Sequence, residues 1–488
     1  MQVIEYSAVL FFVVPLAILL INILLPKQLA EKFSIYLAGI AAVTQIAASA
    51  AGFLLLSAYR LHEYEFSLFC DTTNAGSVRF AVNTFSLVIL FCIGLVSLAS
   101  ILVANRTVDK KRAGYVNLLM MLMLGMNGMV VVTDLFSLYV FLEIVGISSF
   151  VLIAMFKSDT GLEGAFKYLV MSVLASIMIL TGLSFIFMQT GSLQYAHVMG
   201  MNLLEGQSSP QLMLIYTAMI LMIAGFGIKT GAVPFHSWLP DAHQSANTAI
   251  SVLLSGIVIK VAGIYGFIIL TGLFSKLPAV NMTLAIMGTI SIIIGALFAL
   301  RQNHFKRIVA YSSVSQMGYI LLGLSADSIL GLLGAIVHVF NHATFKSTLF
   351  TNAAAVHEQT GTYDIDEMGG LEKKMPVTGF SSLAAFMSTA GIPPFAGFWS
   401  KLLIIMALWN SGLQLFAAIA LFASIFTAAY FLRLQKKVFF GKLLSKFAGL
   451  TEIGGSIKFV QIMLTVVTIA TGLFFPFALL YLRGIGIL

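Results

Sequence analysis

A few ionisable side chains stand inside stretches otherwise too apolar to carry them. Of the 19 acidic residues, Glu143 alone falls well inside an apolar helical run, in FLEIVGISSF. Four of the 27 basic residues do the same: Lys229, Lys260, Lys346 and Lys401. A charge at the centre of a bilayer costs roughly 3 kcal/mol or more, so such residues face a cavity or a partner and often mark an ion path. One carboxylate among several ammonium groups invites a pair, and spacing alone does not say which lysine it meets. His338, His342 and Lys346 recur at steps of four and share one helical stripe. An HxxxH pair can ligate a metal, but no third ligand is evident and no metal is assigned. The other readings are hydrogen bonds between helices and a proton relay, since imidazole titrates near neutrality. The plainer alternatives for the rest are ionic glue at Glu143 and a snorkelling lysine at 229.

These groups need elements to hold them. The chain has 488 residues, 59% hydrophobic and 9% charged, with a mean hydropathy of +1.00. Soluble domains carry about 25% charged residues, so the composition implies an all-α polytopic membrane protein. About 14 apolar runs of helical length are predicted, two of them interrupted. The run 211–236 holds Lys229 and meets Pro234, and the run 377–408 meets Pro393 and Pro394 before Lys401. Backbone freed by proline at membrane depth is tolerated only against protein or water. Two broken helices five apart point to two inverted five-helix repeats. The expected division is residues 1–110 as an N-terminal three-helix segment, 111–275 and 276–440 as the repeats, and 441–488 as a C-terminal helix.

Topology follows from the basic residues. Loops after odd-numbered helices carry 19 Lys and Arg, among them Lys110, Lys306 and Arg307, against Arg60, Arg79, Lys276 and Arg483 on the other side. The positive-inside rule then puts the basic loops in the cytoplasm and both termini outside the cell membrane. Topology also accounts for the net charge of +8, so nucleic acid is not implied as a partner. The apolar N-terminus lacks a basic leader and cleavage site and is read as a first helix. Cys70 and Cys92 form no CxxC pair, and no nucleotide- or flavin-binding fingerprint occurs, so no cofactor and no catalytic residue are assigned.

At residues 80 to 440 the chain resembles the antiporter-like subunits shared by respiratory complex I, membrane-bound hydrogenases and Mrp-type cation/proton antiporters. The resemblance rests on FLEIVGISSF, GFGIKTGAVPFHSWLPDAH, LLSGIVIK, KRIVAYSSVSQMGY, HVFNHATFKSTLF and GIPPFAGFWSK. It implies that Glu143 pairs with Lys229, and that Lys260 and Lys401 continue a midplane proton path with His338 and, as a further partner, His342. It implies a non-catalytic, proton-translocating subunit of a respiratory or hydrogenase complex, driven by other membrane subunits. An Mrp-type Na+/H+ antiporter subunit and a stand-alone solute transporter are the alternatives. The chain departs from the family pattern at QSAN after PDAH, at His304, where many members have Asp, and at Gln316, where some carry histidine.

Overall fold

Polarity is sorted here in the reverse of the soluble order: helices rich in hydroxyls, amides and lysines lie inside, and the most apolar ones lie outside. Lipid cannot satisfy a serine or glutamine, so a helix carrying several must be wrapped in protein. The computed structural model describes residues 2–484 except 60, 62, 68–78, 202, 204–207 and 276, with side chains from residue 8 to residue 480. Arg60, Lys276, Arg483 and Cys70 therefore lie outside the residues whose side chains are described. The chain divides into two units. One holds Met1–Ile101, Val108–Thr230 and Ile257–Val280, and the other holds Leu102–Thr107, Gly231–Gly256 and Asn281–Leu488.

The first unit opens with α1 (Gln2–Leu24) and α2 (Lys27–Tyr59). A hairpin not expected from the sequence follows, β1 (Glu63–Ser67) paired antiparallel with β2 (Arg79–Asn83), its Phe66 stacked on Phe80. Next come α3 (Thr84–Thr107), α4 (Arg112–Val131), α5 (Leu135–Ala154), α6 (Asp159–Thr190), the short α7 (Tyr195–Gly200) and α8 (Ser209–Thr230). Asp134 and Ser158 cap α5 and α6 by accepting from Ser137 N and Gly161 N, which fixes where each begins. A buried amide network ties three helices: Gln45 Nε2 donates to Asn127 Oδ1 at 2.8 Å, and Asn127 Nδ2 donates to Phe11 O at 2.7 Å. Helices α5, α6 and α8 pack consecutively.

The second unit begins where α8 stops. The expected helix 211–236 ends at Thr230, because Gly231 turns the chain at φ +68° and Pro234 offers no N–H to continue. After the break come α9 (Trp238–Ser245), α10 (Thr248–Leu253), two π-helical turns, Leu254–Val258 and Lys260–Tyr265, and α11 (Gly266–Leu273), the last turn and α11 belonging to the first unit. Then follow α12 (Pro278–Arg301), α13 (Phe305–Ser325) and α14 (Ile329–Thr360). The second break divides α15 (Pro376–Ala390) from α16 (Ala396–Asn410), with Gly391 at φ +83°. α17 (Gln414–Val438) and α18 (Ser456–Gly484) complete the chain. Glu452 accepts from Val377 N and from the Thr378 hydroxyl, anchoring the first turn of α15.

The hydroxyl-rich α13 has 94% of its span buried, whereas α18 has 22%. Among the described residues, twelve helices are long and apolar enough to cross a membrane; α1 and the pair α15 and α16 stand outside that number.

Candidate functional site

In the first unit Lys229 ends α8 one residue before its terminus, 2% exposed. The ammonium is held by two hydroxyls from one face of α6: Nζ donates to Ser172 Oγ at 2.7 Å and to Ser176 Oγ at 3.3 Å. Ser176 Oγ in turn donates to Glu143 Oε1 on α5. The carboxylate and the ammonium therefore meet through a hydroxyl. Gly146, one helical turn after Glu143, leaves the room: a Cβ there would stand 3.1 Å from Ser172 Oγ and 3.3 Å from Lys229 Nζ. Glu143, expected to be buried, is partly exposed. It lies on the stripe of α5 that carries the exposed Phe136, Val140, Ile147 and Val151, because steps of four and three return to the same side of a helix.

Lys260 is 1% exposed and opens the second π-helical turn. Wider turns of this kind are rare and occur mostly as local bulges, often at functional sites. The neighbouring glycines fit the end of α8 closely. A Cβ on Gly263 would meet Thr230 Cα at 2.6 Å, and one on Gly266 would meet the Phe226 ring at 2.1 Å. The turn that carries Lys229 is thereby pressed onto the segment that carries Lys260.

In the second unit His338, His342 and Lys346 are all buried on α14, and the stripe fans out to different neighbours. His338 Nδ1 is 2.9 Å from Ser400 Oγ on α16, and its ring lies 5.9 Å from that of Tyr319 on α13. His342 packs edge-on against Phe345 at 5.3 Å. Lys346 Nζ donates to Val309 O at 2.9 Å and to Ser312 Oγ. Lys401, 3% exposed, sits 4.2 Å over the Tyr319 ring and 3.4 Å from Ala390 O, a carbonyl left at the end of α15. A cation at a helix C-terminus meets the negative end of its dipole. Ser400 and Asn341 brace this break, Asn341 Nδ2 donating to Ala396 O at 2.7 Å and to Ser400 Oγ at 3.1 Å. Gly397 crosses Ser388 so closely that a Cβ would fall 1.8 Å from its carbonyl oxygen.

One basic residue counted as a loop charge is corrected. Lys306 is 2% exposed, donates to Ala246 O at 2.6 Å and lies 4.9 Å over the Tyr363 ring, so it is a fifth buried lysine. It escaped sequence reading because it stands next to Arg307, which does face outward and pairs with Asp241 at 2.7 Å. Ser172 and Ser176 were also missed, although an SxxxS spacing on an otherwise apolar helix was a usable signal. Pro234, Pro393 and Pro394 lie in the breaks where they were expected. Among the described residues no three His, Cys, Asp or Glu side chains gather as a metal site.

Residues 132–427 match the family model described as NADH:quinone oxidoreductase/Mrp antiporter, TM. NADH-quinone oxidoreductase subunit N of Desulforudis audaxviator is 33% identical over 333 residues, which is 68% of this chain and 66% of that protein. A chain in the structure of the Mrp complex from a Dietzia species superposes with a TM-score of 0.88 at 25% identity, covering 100% of this chain and 97% of the other. A chain of the membrane-bound sulfane sulfur reductase, an archaeal respiratory membrane complex, does so with a TM-score of 0.85 at 27% identity and the same coverage. With the family match spanning more than half its length and the folds superposing end to end, this chain belongs to the NADH:quinone oxidoreductase/Mrp antiporter membrane family.

Proposed function

We propose that this antiporter-like membrane subunit translocates protons through Glu143, Lys229 and Lys260 in its first unit and His338, His342, Lys346 and Lys401 in its second. The observation that carries the reading is Lys229. It is a fully enclosed ammonium beside a broken helix, linked through hydroxyls to a carboxylate that reaches the edge of the chain. A buried structural ion pair gains from direct contact and from exclusion of water at both ends. Here one end is enclosed and the other is partly open, which suits a group that changes partners.

The partial exposure of Glu143 on an apolar stripe supports a neighbouring membrane subunit as the source of the drive, since lipid is a poor neighbour for a carboxylate. At an effective dielectric near 20, charges about 8 Å apart attract by ~2 kcal/mol. Moving one charge against about 150 mV costs ~3.5 kcal/mol. One separation of Glu143 from Lys229 falls short, so several coupled lysines are a physical requirement. We further propose fourteen crossings, counting α1 and the α15–α16 pair, in two inverted repeats at residues 111–275 and 276–440 with both termini outside.

The deciding experiment replaces Lys229. Arginine keeps a positive partner for Glu143 but stays protonated, with a pKa above ~12, and cannot release a proton. The Lys229→Arg complex should assemble near normally and fail to translocate in sealed vesicles. Wild-type proton release by that variant would make Lys229 ionic glue and remove the centre of the proposal. The likeness to a chain of the Mrp complex favours Na+/H+ exchange as the second reading. Translocation that requires sodium at constant pH would select it.

A further inference from the structure

We infer that Ser176 is the hydroxyl through which the proton crosses between Lys229 and Glu143, with Ser172 as the positioning residue that holds the ammonium in line. The inference rests on the reading of Lys229 as a proton carrier. A hydroxyl owns one proton and two lone pairs, so it can donate once and accept twice. Ser176 Oγ accepts from Lys229 at 3.3 Å and has two acceptors within reach of its single proton, Glu143 Oε1 and the Ser172 carbonyl at 2.9 Å.

With its proton on Glu143 the hydroxyl completes a bridge. Lys229 Nζ passes a proton to Ser176 Oγ as Ser176 passes its own to Glu143 Oε1. The O–H bond of the serine is remade, the ammonium becomes an amine and the carboxylate becomes a carboxylic acid. No other reactant is needed, and two buried charges are neutralised together. With its proton turned to the Ser172 carbonyl the bridge is open, and the lysine and glutamate keep their charges. Rotation of one hydroxyl thus selects between exchange and insulation. Such local back-bonding to the carbonyl four residues earlier is an ordinary option for serine in a helix, so neither state needs a strained geometry.

The surroundings fit the role. Ser172 and Ser176 share the inner face of α6, while Phe166, Val170, Val173 and Ile177 on its other side are exposed. Gly146 keeps α5 clear of both the Ser172 hydroxyl and the ammonium.

The test compares Ser176→Ala, Ser176→Thr and Ser176→Val in the intact complex in sealed vesicles. Threonine and valine have nearly the same volume and differ in the hydroxyl. General acid–base groups contribute about 100-fold or more, so Ser176→Ala and Ser176→Val should assemble and translocate at least ~10-fold more slowly, with Ser176→Thr close to wild type. The infrared carbonyl band of a protonated carboxyl, assigned to Glu143 by its loss in Glu143→Gln, should rise late in Ser176→Val and on time in Ser176→Thr. Equal rates for Ser176→Thr and Ser176→Val, or wild-type translocation by Ser176→Ala, would overturn the bridge. Lys229→Arg run alongside separates the levels. If it pumps, the proton-carrier reading fails; if it is dead while Ser176→Ala pumps normally, the bridge alone fails.

Discussion

Buried cations in this chain are solvated by hydroxyls, carbonyls and aromatic faces, contacts that cost little to remake. Lys229 rests on two serines, Lys346 on Ser312 and a carbonyl, and Lys401 on Tyr319 and the end of α15. His304, which precedes α13 outside the span, shows the opposite case, a titratable group held in one state. Burial first, and then the Lys306 and Arg307 charges, push its imidazole down to about 4. The unfolded chain titrates it near 6.5. The depressed value means that His304 contributes stability above pH ~6.5, which is lost as pH falls toward about 4, because the unfolded state then binds the extra proton. Hydrogen exchange, corrected for its intrinsic pH dependence, should therefore report loosening of residues 300–308 and 361–367 between pH 7 and pH 5. His304→Asn should flatten that response. An unchanged slope in the variant would assign the loosening to other groups.

At the scale of elements, the two breaks are made by close backbone approach as much as by proline. Gly397 lets the start of α16 cross Ser388, where a Cβ would fall 1.8 Å from a carbonyl oxygen. Overpacking of that kind costs typically ~1–3 kcal/mol, and more where the obstacle is backbone that cannot move aside. Gly397→Ala is expected to lower complex yield and thermal stability, while Gly39→Ala on α2, with nothing within 4 Å, should be neutral. Equal stability of the two would show that the break can open to admit a methyl group. The same break places Lys401 against the last carbonyls of α15. Lys401→Ala should weaken translocation while the partner reaction continues, read as a lower ratio of ions moved to turnovers. An unchanged ratio removes Lys401 from the path.

For the whole molecule, the strongest expectation concerns side. The proposed topology puts the exposed Lys110 in the cytoplasm. In a Cys70→Ser background, Lys110→Cys should resist an impermeant thiol reagent added outside intact cells, and the buried Cys92 should stay silent. Ready labelling from outside would invert the topology and the direction of the proposed path. The purified single subunit is expected to show neither redox turnover nor sustained transport, since the drive is proposed to come from neighbouring subunits. Steady substrate oxidation by the isolated chain would contradict this.

The sequence by itself determined the class of the fold and the identity of most ionisable groups within it. Apolar runs long enough to span, prolines inside two of them and lysines beside those prolines are local facts, and the bilayer gives each a cost that can be read without coordinates. Asp134 at the start of α5 was legible for the same reason, because a cap acts within one turn. Tertiary structure decided which groups meet. The run through Pro234 stopped at Thr230, Glu143 emerged at an edge instead of in the interior, and Lys306 turned inward beside an outward Arg307. A helix fixes which residues share a face, but which face meets which neighbour depends on small residues such as Gly146, Gly263 and Gly397 letting particular backbones approach. The serines between Glu143 and Lys229 belong to that second kind of information, since they matter through what α6 brings to either side of them.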